Sequence, residues 1–211
     1  MTRVKICGIT RPEDAALSAS LGAHAIGMIF AAESPRYLTL DRALRVADAV
    51  PPLVGRVGVF VNSPAQWVLE RVHALALSAV QLCGEEPPSI LEDLGSVPVI
   101  RAIGVRDEDS LAEMECWPVA AHLIDAHVPG RHGGTGKTVP LDLARAAIAR
   151  CRSPILAGGL GPENVTERIE LLRPYAVDVS SGVEAEPGIK DPDKLRAFFH
   201  AVRAASHQPP E

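Results

Sequence analysis

Short apolar runs rich in Val, Ile and Ala recur along the chain. Each is followed by a loop and then by a stretch of mixed, helix-like pattern. The pattern predicts strands near residues 3–7, 25–30, 55–61, 78–82, 97–103, 119–125, 154–157 and 175–180. Several are apolar almost without interruption, Val57-Gly-Val-Phe-Val61 among them, which suits strands covered on both faces of a parallel sheet. The intervening segments carry helix-start chemistry. Thr10-Arg-Pro-Glu13 and Ser63-Pro-Ala-Gln66 have capping-box spacing, with Pro64 expected at the first helical position. Asp191-Pro192 and Gly161-Pro162 place a proline just behind a candidate cap.

Eight strands alternating with seven or eight helices require a parallel sheet, because every parallel crossover needs a covering element. The expected fold is α/β: a single-domain (β/α)8 TIM barrel with a parallel eight-stranded sheet, smaller than the typical ~250 residues. An open doubly wound sheet is the alternative, and strand count separates the two. No linker or low-complexity run interrupts the pattern, so residues 1–205 read as one barrel domain and 206–211 as a frayed tail.

Composition narrows the function classes. The formal net charge is −5, with 47% hydrophobic and 22% charged residues, unlike a disordered chain. There is no basic surplus or Lys/Arg run, and the aromatics number four Phe, two Trp and two Tyr. Nucleic acid is therefore not an expected partner. No apolar run approaches the ~20 residues that span a bilayer, so no membrane partner is expected. Charges in Met1-Thr-Arg-Val-Lys-Ile-Cys7 stand where a signal peptide is apolar, which predicts a cytoplasmic protein. Cys7, Cys83, Cys116 and Cys151 are widely spaced, with no Cys-x-x-Cys, and the seven His form no ligand pattern. Neither a disulfide framework nor a metal site is expected.

In a barrel, chemistry collects where strands end. Lys5 and Cys7 stand two apart and so share a face of the first strand. A nearby ammonium is expected to lower the thiol from ~8.5 and favour the thiolate. Ser34-Pro-Arg-Tyr37 follows the second strand, and Arg36 is shaped to clasp a carboxylate bidentately. Asp125 ends the sixth strand, partly desolvated, as a candidate general acid. The glycine-rich stretch behind it fails the P-loop spacing at Arg131 and reads as a lid hinged on Gly133, Gly134, Thr135 and Gly136. Loops after the seventh and eighth strands offer Gly158 and Gly159, and Ser180, Ser181 and Gly182. Neither stretch contains Lys or Arg, so backbone N–H groups are the expected phosphate ligands. Gly159-x-Gly161 is not a dinucleotide fingerprint, because Asn164 occupies the third glycine position.

In this order the motifs resemble the phosphoribosylanthranilate isomerase family over about residues 3–200. They are Val4-Lys-Ile-Cys-Gly-Ile-Thr10, Ser34-Pro-Arg-Tyr37, Val59-Phe-Val-Asn62, Val80-Gln-Leu82, Asp125 with Val128-Pro-Gly130 and Gly133-Gly-Thr-Gly-Lys-Thr138, Leu156-Ala-Gly-Gly-Leu160, Asn164-Val165, and Val177-Asp-Val-Ser-Ser-Gly-Val-Glu184 with Lys190-Asp191. The resemblance implies an intramolecular oxidoreductase of the aldose–ketose isomerase type. It implies an Amadori rearrangement in tryptophan biosynthesis without cofactor or metal, in a monomer or homodimer. It implies Cys7 as general base, Asp125 as general acid, Arg36 on the anthranilate carboxylate and Asp178 on the sugar hydroxyls. Lys5 is counted with the substrate-binding residues. The family's usual Gln-Leu-His-Gly is here Gln81-Leu-Cys83-Gly84, so a weak donor replaces a His. Two alternatives remain open: another phosphorylated-sugar enzyme on this scaffold, and a non-catalytic phosphometabolite-binding protein.

Overall fold

In the computed structural model, which describes residues 1–126 and 141–205, the apolar runs form eight parallel strands that close on themselves. They are β1 (Arg3–Ile6), β2 (Ala25–Ile29), β3 (Gly55–Phe60), β4 (Ala79–Leu82), β5 (Val99–Val105), β6 (Ala121–Ala126), β7 (Pro154–Leu156) and β8 (Ala176–Val179). Their order around the barrel is the order of the chain, and β8 closes onto β1 with Lys5 opposite Asp178. Seven helices alternate with them: α1 (Pro12–Leu21), α2 (Leu40–Asp48), α3 (Ala65–Leu75), α4 (Ile90–Leu94), α5 (Glu108–Glu115), α6 (Leu141–Arg150) and α7 (Val165–Leu172). Behind β8 comes an antiparallel hairpin absent from the sequence expectation, β9 (Glu184–Glu186) with β10 (Ile189–Lys190), and then α8 (Pro192–Ala205). The closed eight-stranded sheet excludes the open doubly wound alternative. The expected tail, 206–211, lies outside the described residues.

Side-chain alternation divides the core in two. One parity, including Val4, Ile6, Ile26, Met28, Val80, Leu82, Ile124 and Val177, packs against the helices. The other turns inward, where Val57, Ile100, Ala121, Leu123, Ile155, Ala157 and Ala176 form a separate apolar cluster. Further along the strands the same inward parity carries Lys5, Cys7, Gln81, Cys83, Asp125, Asp178 and Ser180. The interior thus changes from apolar to polar toward the strands' C-terminal ends.

Several local expectations are corrected. β5 starts at Val99, behind Pro98, which lacks an N–H for the ladder. β6 starts at Ala121, because Val119 N–H turns back to the Trp117 carbonyl at 2.9 Å. Thr10 does not cap α1; its hydroxyl donates to the Gly188 carbonyl, a tertiary contact that removes it from the helix end. Ser63 does not cap α3 either, and Pro64 is the residue before the helix, not its first. Pro162 precedes α7 by more than the expected step, because Asn164 is the flanking residue. Asp191 does cap α8, accepting from Asp193 N–H at 2.9 Å and Lys194 N–H at 3.1 Å.

Candidate active site

Backbone geometry fixes Cys7 before its side chain is considered. Its N–H donates to the Val179 carbonyl of β8 at 2.8 Å, and Ile9 N–H donates to the Gly27 carbonyl of β2 at 3.0 Å. Gly8 between them has φ +70°, in the left-handed region that favours glycine. A Cβ there would also collide with Arg36 and with Ser180 Oγ. The neighbouring wall is equally tight. A Cβ on Gly27 would lie 2.8 Å from Cys7 Sγ and 3.2 Å from Lys5 Nζ. Glycine at 27 therefore makes the room in which the thiol and the ammonium stand together.

Lys5 is buried and pairs with Asp178, Nζ to Oδ1 at 2.8 Å, as the strand register predicts. Burial pulls the ammonium down, but the charges of Asp178 and Cys7 outweigh it and hold Lys5 above its ordinary value. The Cys7 thiol departs from expectation. Burial pushes it above its ordinary value, although Lys5 and Lys190 both act to lower it. The expected net lowering is thus overturned by desolvation: a thiolate at this depth loses more from water than the two ammonium groups return.

Asp125 stands on β6 opposite Gly104 of β5, half-buried, with the same inward parity as Leu123. Cys83 directly follows β4, and its Sγ accepts a 3.2 Å hydrogen bond from Gln81 Nε2. Burial pushes this thiol up to about 12, and the bond from Gln81 offsets only part of that rise. Gln81 Oε1 is buried with no hydrogen-bond partner.

Arg36 already clasps a carboxylate of this chain. It lies across Gly8 and holds Glu184 bidentately, Nε to Oε1 at 2.8 Å and Nη2 to Oε2 at 2.6 Å. Glu184 also receives Lys190 Nζ at 2.9 Å, and the same ammonium donates to the Ser180 carbonyl at 3.0 Å. Glu184 and Lys190 are the residues missed by reading strand ends alone, since they belong to the hairpin behind β8. Their only sequence signal is a pair of opposite charges inside a motif otherwise read for glycine and serine.

The two candidate phosphate loops meet. Gly158 and Gly159 have φ of +81° and +62°. Asn164 clamps this loop, accepting from Gly161 N–H at 3.0 Å and donating to the Gly159 carbonyl at 2.8 Å. Ser181–Val183 form a 3₁₀ turn, and Gly182 sits so close to the Leu160 carbonyl that a Cβ has no space. Ser180 Oγ is buried without a hydrogen-bond partner. The structure therefore gathers Lys5, Cys7, Arg36, Asp178 and both small-residue loops at one end of the barrel, with Asp125 on another wall of the same end. The stretch read as a lid, Gly133, Gly134, Thr135 and Gly136, lies outside the described residues. Among the described residues no cluster of three or more His, Cys, Asp or Glu could hold a metal ion, and no helix is long and apolar enough to cross a membrane.

Comparison with known proteins bears on this arrangement. The family model described as N-(5'-phosphoribosyl)anthranilate (PRA) isomerase matches residues 4–201. The chain is 46% identical over 204 residues to N-(5'-phosphoribosyl)anthranilate isomerase of Geobacter sulfurreducens, covering 96% of this chain and 99% of that one. Among solved structures, monomers of the dimeric phosphoribosylanthranilate isomerase from Thermotoga maritima align with a TM-score of 0.87 at 39% identity, covering 97% and 100% of the two chains. A phosphoribosylanthranilate isomerase in complex with reduced 1-(o-carboxyphenylamino)-1-deoxyribulose 5-phosphate aligns with a TM-score of 0.85 at 40% identity, with the same coverage.

Proposed function

Because the chain belongs to the N-(5'-phosphoribosyl)anthranilate isomerase family, an aldose–ketose isomerase of tryptophan biosynthesis, we propose that its reaction runs between Cys7 and Asp125 at the polar end of the barrel. The chain converts N-(5-phosphoribosyl)anthranilate to 1-(2-carboxyphenylamino)-1-deoxyribulose 5-phosphate. In the proposed sequence Asp125 donates a proton to the ring oxygen. The C1–O bond breaks as the nitrogen lone pair forms the C=N bond of a Schiff base. Cys7, as thiolate, then removes the proton from C2, and the electrons left behind neutralise the iminium. The resulting enolamine gains a proton at C1 and loses one from the C2 hydroxyl, leaving the ketone. Acid and base each contribute typically ~10²–10⁴-fold.

The observation that carries this reading is the packing of Cys7 Sγ and Lys5 Nζ together against the bare backbone of Gly27. Deprotonating a buried thiol costs least where a fixed cation already stands. Asp178 is bound to Lys5 through one oxygen. The other leaves it able to accept from a sugar hydroxyl while it holds the ammonium in place. For the phosphate, the reading is supported by the meeting of the two glycine loops and by the unpartnered hydroxyl of Ser180. Backbone N–H groups around Gly158, Gly159, Ser181 and Gly182 supply the remaining donors. A cytoplasmic location and a monomer or homodimer complete the proposal, testable by cell fractionation and sedimentation of the purified chain.

Activity is tested by adding the protein to freshly made substrate and following its fluorescence decay. Wild type accelerates the decay and yields the ketose. Asp125→Asn lowers kcat by at least ~10²-fold with KM little changed, if the lost interaction belongs to the transition state. A variant that keeps more than a tenth of wild-type kcat, with chemistry rate-limiting, removes Asp125 from the acid role.

A further inference from the structure

The hydrogen bonds of Arg36 divide its guanidinium into two edges. The Nε/Nη2 edge is occupied by both oxygens of Glu184. Among the described residues Nη1 makes no hydrogen bond. Glu184 is itself held from three sides. Lys190 Nζ reaches Oε1 at 2.9 Å, Gly188 N–H reaches the same oxygen at 3.3 Å, and Lys194 Nζ donates to the Glu184 carbonyl at 2.7 Å. Thr10 binds the Gly188 carbonyl, and Asp14 accepts from Lys190 N–H at 3.1 Å, so the hairpin is tied to the loop behind β1 and to α1. Burial pushes the Glu184 carboxyl up, but Arg36 and Lys190 outweigh it, and the group stays ionised. One fixed carboxylate therefore grips Arg36 beside Gly8, one residue from the thiol.

We propose that Glu184 is a positioning residue that holds Arg36 by one edge and so presents its other edge to the substrate's anthranilate carboxylate. A planar guanidinium offers two bidentate edges, and fixing one leaves the second in a defined plane. Lys190 compensates the charge of Glu184, so the trio keeps one net positive charge for the incoming anion. The proposal rests on the isomerase reading above and adds a residue to it. Positioning and bulk charge predict opposite signs. Removing the Glu184 charge leaves the site more positive, which by electrostatics alone would tighten a carboxylate ligand. Losing the grip on Arg36 would weaken it.

The test uses two ligands, reduced 1-(o-carboxyphenylamino)-1-deoxyribulose 5-phosphate and its phenylamino counterpart without the carboxylate. Their Kd values are measured by calorimetry on wild type and Glu184→Gln, with inorganic phosphate as a control on the integrity of the phosphate loops. The expected result is an approximately tenfold weaker Kd for the carboxylate ligand in Glu184→Gln, and less than about a twofold change for the other ligand. In turnover, KM rises by a similar factor while kcat stays within about threefold. Arg36→Met alone should lose the same preference, and adding Glu184→Gln to it should cost the carboxylate ligand nothing more. Equal weakening of both ligands, tighter binding of the carboxylate ligand, or additive losses in the double variant would overturn the proposal. If Glu184→Gln does not fold, an Arg36→Met chain that keeps its preference for the carboxylate ligand overturns it alone. Wild type that fails to turn over the substrate would instead overturn the isomerase reading, and this proposal with it.

Discussion

Two thiols stand at the ends of inward-facing strand positions, Cys7 on the β1 side and Cys83 on the β4 side, and their surroundings differ in one essential respect. Cys7 has an ammonium on its own strand, fixed by Asp178 across the β1–β8 ladder and given space by Gly27. Cys83 is bonded by the neutral amide of Gln81, and the same Lys5 acts on it less than that bond does. Burial raises both thiols, so depth alone does not select a base. What distinguishes Cys7 is a cation that must move nowhere when the proton leaves. The lesson is that a buried nucleophile or base is recognised by a preorganised counter-charge rather than by a low resting pKa.

The comparison can be broken by removing that counter-charge. Lys5→Met should lower kcat/KM at neutral pH by ~10²-fold, the low end for a lost electrostatic partner. The direction follows from the charges. Lys5 acts to lower the thiol, so its loss pushes Cys7 further up, and the alkaline rise of kcat/KM moves to higher pH. It also strands the buried Asp178 charge, at a cost of about 3–5 kcal/mol of stability. A pH profile that keeps its position in a folded Lys5→Met enzyme would show that the ammonium is structural only. The weakest effect belongs to the other thiol. Cys83→Ser should change kcat/KM by less than about threefold, because Cys83 is assigned no proton transfer. A larger loss would make Cys83, with its unpartnered Gln81 neighbour, a member of the site.

The eight strands were legible because parallel strands buried on both faces read as continuous apolar runs, and several ends were legible because chemistry-bearing residues interrupt those runs at Cys7, Asp125 and Ser180. The helix caps were less so. Thr10 and Ser63 have the right spacing, but a hydroxyl can bind any nearby carbonyl, and the hairpin behind β8 captures Thr10. The direction of the Cys7 shift was misread because a sequence shows the neighbouring charge but not the depth at which both groups sit. The Arg36–Glu184 pair was invisible for a simpler reason. Its members are 148 residues apart, and only closure of the barrel brings the loop after β2 beside the hairpin after β8.

The central claim is that Cys7 removes the C2 proton, and its most direct measurement is kcat/KM against pH for wild type and Cys7→Ala with C2-protiated and C2-deuterated substrate. Wild type should show a primary isotope effect, and its kcat/KM should rise with pH above neutrality, because burial holds the Cys7 thiol above its ordinary value and it must lose its proton to act as the base. Cys7→Ala should be slower by at least ~10²-fold and should lose that rise. Cys7→Ala that keeps more than a tenth of the wild-type rate, with the isotope effect and the pH dependence intact, would contradict the assignment.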